Sequence, residues 1–206
     1  MFKYSKIKNS GMKSTMKAST IILILLLGGF NIMAEDKERL VFNFNTPESG
    51  KIWVSVNDNV MGGISDGKFK ITQDKTLFFY GSLSLANNGG FASVRCLPTQ
   101  LALKKNDSIC FQAKGDGREY TINLYTNKRL TAFSYKQSFK TKKEEWINLT
   151  FPLDKFIATS FGRTIPNAAP IDPNEINSIG FMIGDKNIEP FQLELKNITI
   201  LPNPKE

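Results

Sequence analysis

The stretch REYTINLYT, residues 118–126, places apolar side chains at Tyr120, Ile122 and Leu124 and polar side chains at Thr121 and Asn123. Successive side chains of a β-strand point to opposite faces, so this alternation predicts a strand with one face in a core. Runs with the same period recur from about residue 39 onward, separated by Asn-Asp, Asn-Gly, Asp-Gly and Pro-Asn turn signals. Because no window predicts a three-turn amphipathic helix, we expect an all-β, jelly-roll-like antiparallel β-sandwich.

The other predicted strands are short and spread evenly along the chain. They cover Leu40–Phe44, Phe69–Ile71, Leu77–Leu85, Phe91–Leu97, Ser108–Lys114, Thr131–Lys140, Glu145–Phe151, Ser178–Gly184 and Pro190–Leu201. In the last run the apolar parity changes near Lys196-Asn197, which predicts a β-bulge that keeps both halves facing the core. Residues 157–177 contain three prolines and few large apolar side chains, so we expect a long loop that crosses between sheets.

The N-terminal segment differs in composition from the rest of the chain. Five of the 27 basic residues and none of the 19 acidic residues lie in residues 1–34, which leaves 22 basic and 19 acidic residues beyond them. A lysine-containing region, the aliphatic run Ile21–Leu27 and Ala34 follow in the order typical of a secretory signal peptide. We therefore predict a signal peptide or N-terminal anchor over 1–34, a domain over 35–206, and an exported, periplasmic or secreted, protein whose only membrane contact is an uncleaved leader.

The composition limits the chemistry that the domain can perform. The chain has no histidine, which excludes histidine bases, histidine-containing triads and histidine metal ligands. We predict no catalytic residue, cofactor or metal centre, although calcium bound by loop aspartates or a pair of hydrolytic carboxylates stays open. Without a dense Lys/Arg stripe we expect no nucleic-acid partner. Cys96 and Cys110 fall on opposite parities of their strands, which argues against a disulfide between them without excluding it.

Several ordered motifs resemble the complex I intermediate-associated protein 30 family. They are Trp53–Ser65 (WVSVNDNVMGGIS), Phe79–Leu85 (FYGSLSL), Asn88–Arg95 (NGGFASVR) and Lys114–Tyr120 (KGDGREY), followed by Tyr135, Phe139, Trp146, Pro152, Phe156 and Gly162-Arg163. The resemblance covers roughly residues 40–201. It implies a galactose-binding-domain-like β-sandwich and a non-catalytic, chaperone-like assembly factor, whose protein partner could be a membrane complex subunit. The alternative is a carbohydrate-binding module of the galactose-binding-like type.

Ten residues form the candidate binding surface: Asn57, Asp58, Met61, Gly62, Gly63, Arg95, Asp116, Arg118, Tyr125 and Arg163. Most of them also have a purely structural alternative. The 57–65 segment is either a binding loop or a tight turn in which Val60 and Met61 fill the edge of the core. The sequence of residues 87–90 predicts a hairpin connection.

Two arginines of this set can act in more than one way. Arg95 is either a cation on an open sheet face or a buried partner of Asp58 or Asp116. Residues 115–118 form either a plain β-turn or a carboxylate–guanidinium pair at the rim of the sandwich. Tyr125 falls on the polar parity of its strand, so we expect it to be exposed.

Overall fold

A computed structural model describes residues 37–127 and 132–203, and the predicted all-β sandwich is confirmed. Two antiparallel sheets, one of six strands and one of seven, pack face to face. No helix in the described ranges is both long and apolar enough to cross a membrane. The predicted leader, residues 1–34, lies outside the described residues.

The described residues contain thirteen strands and five short 3-10 helices. The strands are β1 (Arg39–Phe42), β2 (Trp53–Ser55), β3 (Asp66–Ile71), β4 (Leu77–Ser82), β5 (Ala92–Cys96), β6 (Ser108–Gly115), β7 (Glu119–Thr126), β8 (Phe133–Lys140), β9 (Ile147–Pro152), β10 (Ile157–Ser160), β11 (Arg163–Thr164), β12 (Ile176–Ile183) and β13 (Phe191–Leu201). The 3-10 helices are Pro47–Ile52, Asp58–Met61, Ala86–Asn88, Leu153–Lys155 and Pro173–Glu175.

Strands that follow one another in the chain often belong to different sheets. The six-stranded sheet has the order β3-β4-β13-β6-β9, and β1 also pairs with β13. The seven-stranded sheet has the order β11-β10-β8-β7-β12-β5-β2. The chain therefore crosses repeatedly from one sheet to the other, as a jelly-roll topology requires.

The apolar parity of each strand faces the space between the sheets. Phe111 of the six-stranded sheet meets Phe181 of the seven-stranded sheet edge to face, with ring centroids 5.1 Å apart. Phe111 also stacks on Phe151, and Trp53 stacks on Phe181. Each large side chain removed from water in this way contributes roughly 1.5–3 kcal/mol to folding, so aromatic residues supply much of the driving force.

The bulge predicted in the last strand is confirmed. The register of β13 against β6 shifts between Lys196 and Thr199, and Asn197 has a positive φ of 21°. Leu195 before the shift and Ile198 after it are both fully buried. The bulge takes up the extra residue, so both halves of this eleven-residue strand face the core.

The structure corrects two local predictions, the long loop and the hairpin, and it establishes the state of the two cysteines. Residues 157–177 are not one open loop, because β10 and β11 form there and extend the seven-stranded sheet. Residues 87–90 do not close a hairpin, because they lie between β4 and β5, which belong to different sheets. Cys96 and Cys110 are both free; Cys96 is buried and Cys110 is partly exposed on the other sheet.

Candidate functional site

Five loops cross between the sheets at the same end of the sandwich, here called the crossing end. They are residues 56–65, 83–91, 116–118, 141–146 and 184–190. The strand registers place them together, since the end of β4 pairs with the starts of β3 and β13, and the end of β12 pairs with the start of β5. The loop 141–146 lies there because the end of β8 pairs with the start of β7 and the start of β9 pairs with the end of β6. Most of the predicted site residues lie in these loops.

Asp58 ties the first two crossing loops together. Its buried carboxylate accepts hydrogen bonds from Ser65 N at 2.9 Å, Ser65 Oγ at 2.6 Å, Gly90 N at 2.6 Å and Phe91 N at 3.4 Å. Burial alone would raise the pKa of this carboxyl, but the hydrogen bonds outweigh it and leave the pKa below its ordinary value. Asp58 is therefore a charged anchor inside the loop cluster, and it does not contact Arg95.

The neighbouring residues of the motif shape the backbone around this carboxylate. Gly62 ends the 3-10 helix Asp58–Met61 with a left-handed φ of 90°. A Cβ on Gly63 would lie 2.3 Å from Asp58 Cγ, so only glycine fits there. Asn57 Nδ2 donates to Gly67 O at 3.0 Å, and Asn87 Nδ2 donates to Gly62 O at 3.1 Å. The 57–65 loop is held from several sides.

This rigid loop carries large apolar side chains that point into solvent. Val60 is 67% exposed, Met61 57% and Ile64 63%, and Leu85 of the next loop is also exposed. The interpretation that Val60 and Met61 fill the edge of the core is wrong, because the 3-10 helix carries them outward while Asp58 takes the interior position. We call Val60, Met61, Ile64 and Leu85 the apolar tip. Exposed apolar residues clustered on an ordered loop are typical of protein-binding surfaces.

Arg118 fixes two further crossing loops, residues 116–118 and 184–190. Its guanidinium forms a bidentate pair with Asp185, at 2.9 and 2.6 Å, and donates to the carbonyls of Asn187 and Glu189 at 2.7 Å each. This pairing holds the pKa of the Asp185 carboxyl below its ordinary value. The predicted carboxylate–guanidinium pair exists, but its acid is Asp185 and not Asp116.

Asp116 accepts a separate set of hydrogen bonds in the same region. Its carboxylate accepts from Arg118 N, from the Tyr120 hydroxyl and from Gln192 N, each at 3.0 Å. Burial and this neighbouring carboxylate raise the pKa of Tyr120. With every group paired inside the protein, Asp116 and Arg118 connect the sheets and present little to a ligand.

Arg95 lies on the outer face of the seven-stranded sheet, which decides between its two predicted environments. Its guanidinium stacks on the Tyr125 ring, 4.5 Å from the centroid, and its Nε donates to Ser93 Oγ at 3.1 Å. Tyr125 is half-buried and less exposed than predicted. Burial raises the pKa of Tyr125 to about 12, although the guanidinium opposes this rise.

Gly180 makes this stack possible. It pairs with Arg95 on one side and Asn123 on the other, and a Cβ there would lie 2.8 Å from Arg95 Cγ and 3.1 Å from Tyr125 Cε2. The pairing of Arg95 with Tyr125 was not among the sequence-based predictions. A glycine within an apolar strand is the signal that could have indicated a close approach at this position.

A row of small polar side chains continues across the same face. Asn123 Nδ2 donates to Thr121 Oγ1 at 2.9 Å, Ser134 Oγ donates to Asn123 Oδ1 at 3.3 Å, and Ser134 lies 3.3 Å from Thr159 Oγ1. Arg163 lies apart from Arg95 and from the crossing end, exposed in the edge strand β11. The ten predicted residues therefore divide among several places and do not form one site.

The described residues hold no cluster of three or more Asp, Glu or Cys side chains placed for a metal ion. Asp58, Asp116 and Asp185, which could have been calcium ligands, are each engaged in hydrogen bonds from the protein itself.

The family comparison matches most of the chain. The model of the family described as complex I intermediate-associated protein 30 matches residues 42–195. The chain belongs to this family. It is 24% identical over 190 residues to the mitochondrial complex I intermediate-associated protein 30 of Mus musculus and 23% identical over 187 residues to that of Drosophila melanogaster. These alignments cover 82% and 80% of this chain but only 58% and 63% of the relatives, so the chain spans about three-fifths of their length.

Solved structures with the same fold come from a different group of proteins. A family 11 carbohydrate-binding module from Clostridium thermocellum, solved with a β-1,3-1,4-mixed-linked tetrasaccharide, superposes with a TM-score of 0.60. Its sequence is 16% identical to this chain. The superposition covers 82% of this chain and 98% of the module. At this identity the likeness shows the fold alone, and it confirms the expected antiparallel β-sandwich.

The expectation of an exported protein is wrong. The curated relatives of this family are named as mitochondrial proteins. A basic, Ser/Thr-containing segment without acidic residues is a property that mitochondrial transit peptides share with the start of a signal peptide. The basic composition of residues 1–34 is therefore insufficient to predict export.

Proposed function

We propose that this domain is a non-enzymatic assembly factor that binds a protein partner through the apolar tip at its crossing end. Membership in the complex I intermediate-associated protein 30 family supports the assembly role. The absence of histidine and the internal pairing of the aspartates in the crossing loops support a role without catalysis. By analogy with the names of the relatives, the partner is a subunit or intermediate of respiratory complex I.

The single observation that carries this proposal is the contrast between Asp58 and the apolar tip. Asp58 fixes the backbone through four hydrogen bonds, while Met61 and Ile64 on the same loop stay exposed. Ordering a flexible loop on binding costs free energy, and a loop that is already rigid avoids this cost. Apolar side chains on such a loop are then available as anchors for a groove on the partner.

The test is capture of complex I intermediates by the full-length chain. A tagged chain is expressed in cells that lack the endogenous gene, and native gels are probed for complex I subunits that migrate with the tag. We expect co-migration for the wild-type chain and its loss in the Met61→Asp/Ile64→Asp double variant. Restored NADH:ubiquinone oxidoreductase activity is the second readout.

Phe161→Asp is the matched control, because Phe161 is 56% exposed but lies between β10 and β11, away from the crossing end. Both variants must unfold at the wild-type temperature, since they alter exposed side chains. Absence of complex I subunits from the wild-type capture, together with unchanged enzyme activity in the gene deletion, would refute the proposal. An equal loss with Phe161→Asp would refute the assigned surface.

Glycan binding is the alternative function, supported by the carbohydrate-binding module fold and the stacked tyrosine on an open sheet face. Titration of the purified chain with a mixed-linked β-glucan tetrasaccharide separates the two functions. Saturable binding that Tyr125→Ala abolishes, combined with a failed complex I capture, would favour the alternative.

A further inference from the structure

The outer face of the seven-stranded sheet contains an arginine that is fixed in place but has unused donors. Arg95 is held by the Tyr125 ring and by Ser93, whose hydroxyl in turn donates to Val56 O. Within the described parts of the chain, the Arg95 side chain makes one hydrogen bond, from Nε to Ser93 Oγ, so the terminal guanidinium nitrogens Nη1 and Nη2 have donors to spare. An arginine that is already oriented loses little side-chain entropy when it binds a carboxylate.

A second cation lies on the same row of the sheet. The pairing Arg95–Gly180–Asn123–Lys136 crosses four adjacent strands. Three strand spacings separate Arg95 from Lys136, which is about 14 Å. Lys136 Nζ donates to Gly162 O at 3.1 Å, which leaves further ammonium protons available.

The outward positions of β5, β12, β7 and β8 include one acidic side chain, Glu119, which is paired in register with Lys140 near the crossing end. The outward positions nearer to Arg95 and Lys136 are Ser93, Thr121, Asn123, Tyr125, Ser134, Ser138, Ser178, Gly180 and Met182, none of which is acidic. Five polar residues of this face, Ser93, Asn123, Ser134, Thr159 and Ser178, are buried and hydrogen-bonded. The face therefore carries a net positive charge beside polar groups that are fixed by hydrogen bonds, which is complementary to an anionic partner.

We propose that this face binds an acidic, extended segment of a partner protein, with one carboxylate on Arg95 and a second on Lys136. This inference rests on the proposed protein-binding function and adds a second contact to the apolar tip. An extended chain advances about 3.3 Å per residue, so two carboxylates four residues apart span about 13 Å, which is close to the backbone spacing between Arg95 and Lys136. Carboxylate–guanidinium bonds would supply specificity for acidic sequences.

The test is a titration of the isotopically labelled full-length chain with a 15-residue peptide that has glutamate at every fourth position and serine elsewhere. Its control peptide has glutamine in place of each glutamate. We expect the acidic peptide to shift the Arg95 Nε–Hε signal and to bind at least fivefold more tightly than the glutamine peptide. Raising the salt concentration should weaken this binding.

Variants then locate the binding site. Arg95→Gln and Lys136→Gln should each weaken acidic-peptide binding about fivefold, which corresponds to roughly 1 kcal/mol. Lys70→Gln removes the same charge from the outer face of the other sheet and should leave the affinity unchanged. Lys136→Gln keeps the test valid if Arg95→Gln alters the fold, because Lys136 takes no part in the tyrosine stack.

Equal affinity for the two peptides, or equal weakening by Lys70→Gln, would overturn the inference. Binding of a neutral mixed-linked glucan in preference to the acidic peptide would also overturn it. The titration needs no cellular partner, so its failure leaves docking through the apolar tip intact. A failed complex I capture with normal peptide binding would instead remove the proposed function.

Discussion

Gly63 has no space for a side chain because Asp58 occupies it: a Cβ on Gly63 would lie 2.3 Å from Asp58 Cγ and 2.5 Å from Oδ1. Gly62, one residue earlier, has open space around it but a φ of 90°. The two adjacent glycines are thus required for different physical reasons, one for close packing and one for backbone conformation.

This difference predicts unequal effects of alanine at the two positions. Gly62→Ala should cost about 1 kcal/mol of unfolding free energy, the strain of a left-handed residue. Gly63→Ala should cost about 3 kcal/mol or more, since the carboxylate must leave its hydrogen bonds. Urea unfolding of both variants measures this, and equal losses would show that Asp58 moves aside freely.

Asp58→Asn should destabilise the domain by about 3 kcal/mol at pH 7. The amide has one acceptor oxygen where the carboxylate has two, so buried N–H groups of Ser65 or Gly90 lose their partner. Asp66→Asn is the control, because Asp66 is exposed and its pair with Lys68 contributes little.

The effect of Asp58→Asn on the free energy of unfolding should depend on pH. The folded pKa of Asp58 is below its ordinary value of 3.8, so the carboxylate contributes stability above that value and loses it as the pH falls through the folded pKa. The difference in unfolding free energy between wild type and Asp58→Asn should therefore shrink below about pH 4. A difference that stays constant down to pH 2.5 would contradict the role of the charge.

Arg118→Lys should cost about 2 kcal/mol despite the retained charge. Lysine cannot reproduce the two parallel bonds to Asp185 together with those to the Asn187 and Glu189 carbonyls. Arg163→Lys, at an exposed edge position, should be neutral within 0.5 kcal/mol. Chemical unfolding compares the pair, and a neutral Arg118→Lys would show that a point charge is sufficient to hold these loops.

Deletion of Asn197 should leave the domain folded, whereas deletion of Ile198 should prevent folding. Without Asn197 the strand alternates regularly, so Ile198 and Ile200 still face the core and Thr199 still faces outward. Without Ile198, the Asn197 side chain takes its core position, and the loss of a buried isoleucine together with the burial of an unpaired amide costs several kcal/mol, which is comparable to the stability of a domain of this size. Deletion of exposed Ala168 is the control and should give a folded protein by near-UV circular dichroism.

The sequence was informative about strands because alternation is a local property. The pattern of residues 118–126 and the parity change near Asn197 both predicted what the structure contains. The turn residues Asn87-Asn88-Gly89-Gly90 were less informative about topology. Residues of these types form a turn equally well between two strands of one sheet and between strands of different sheets. Residues 157–177 were read as a loop because β10 and β11 are too short to show a period.

The candidate site was only partly predictable for a related reason. Asp58 and Arg118 were recognised as important, but their partners Gly90 and Asp185 are 32 and 67 residues away in the sequence. No spacing rule connects residues at such separations. The stack of Arg95 on Tyr125 likewise depends on a third strand carrying Gly180 between them.

The position of β13 determines when the domain can fold. This last strand lies between β4 and β6 and also pairs with β1, so three earlier strands of the six-stranded sheet lack a neighbour until it is synthesised. Pairing between residues so distant in sequence is slow and cannot proceed step by step from the N-terminus. On the ribosome, the growing polypeptide must therefore stay open to proteases and chaperones until translation has passed Leu201, after which both sheets can form in a single cooperative event.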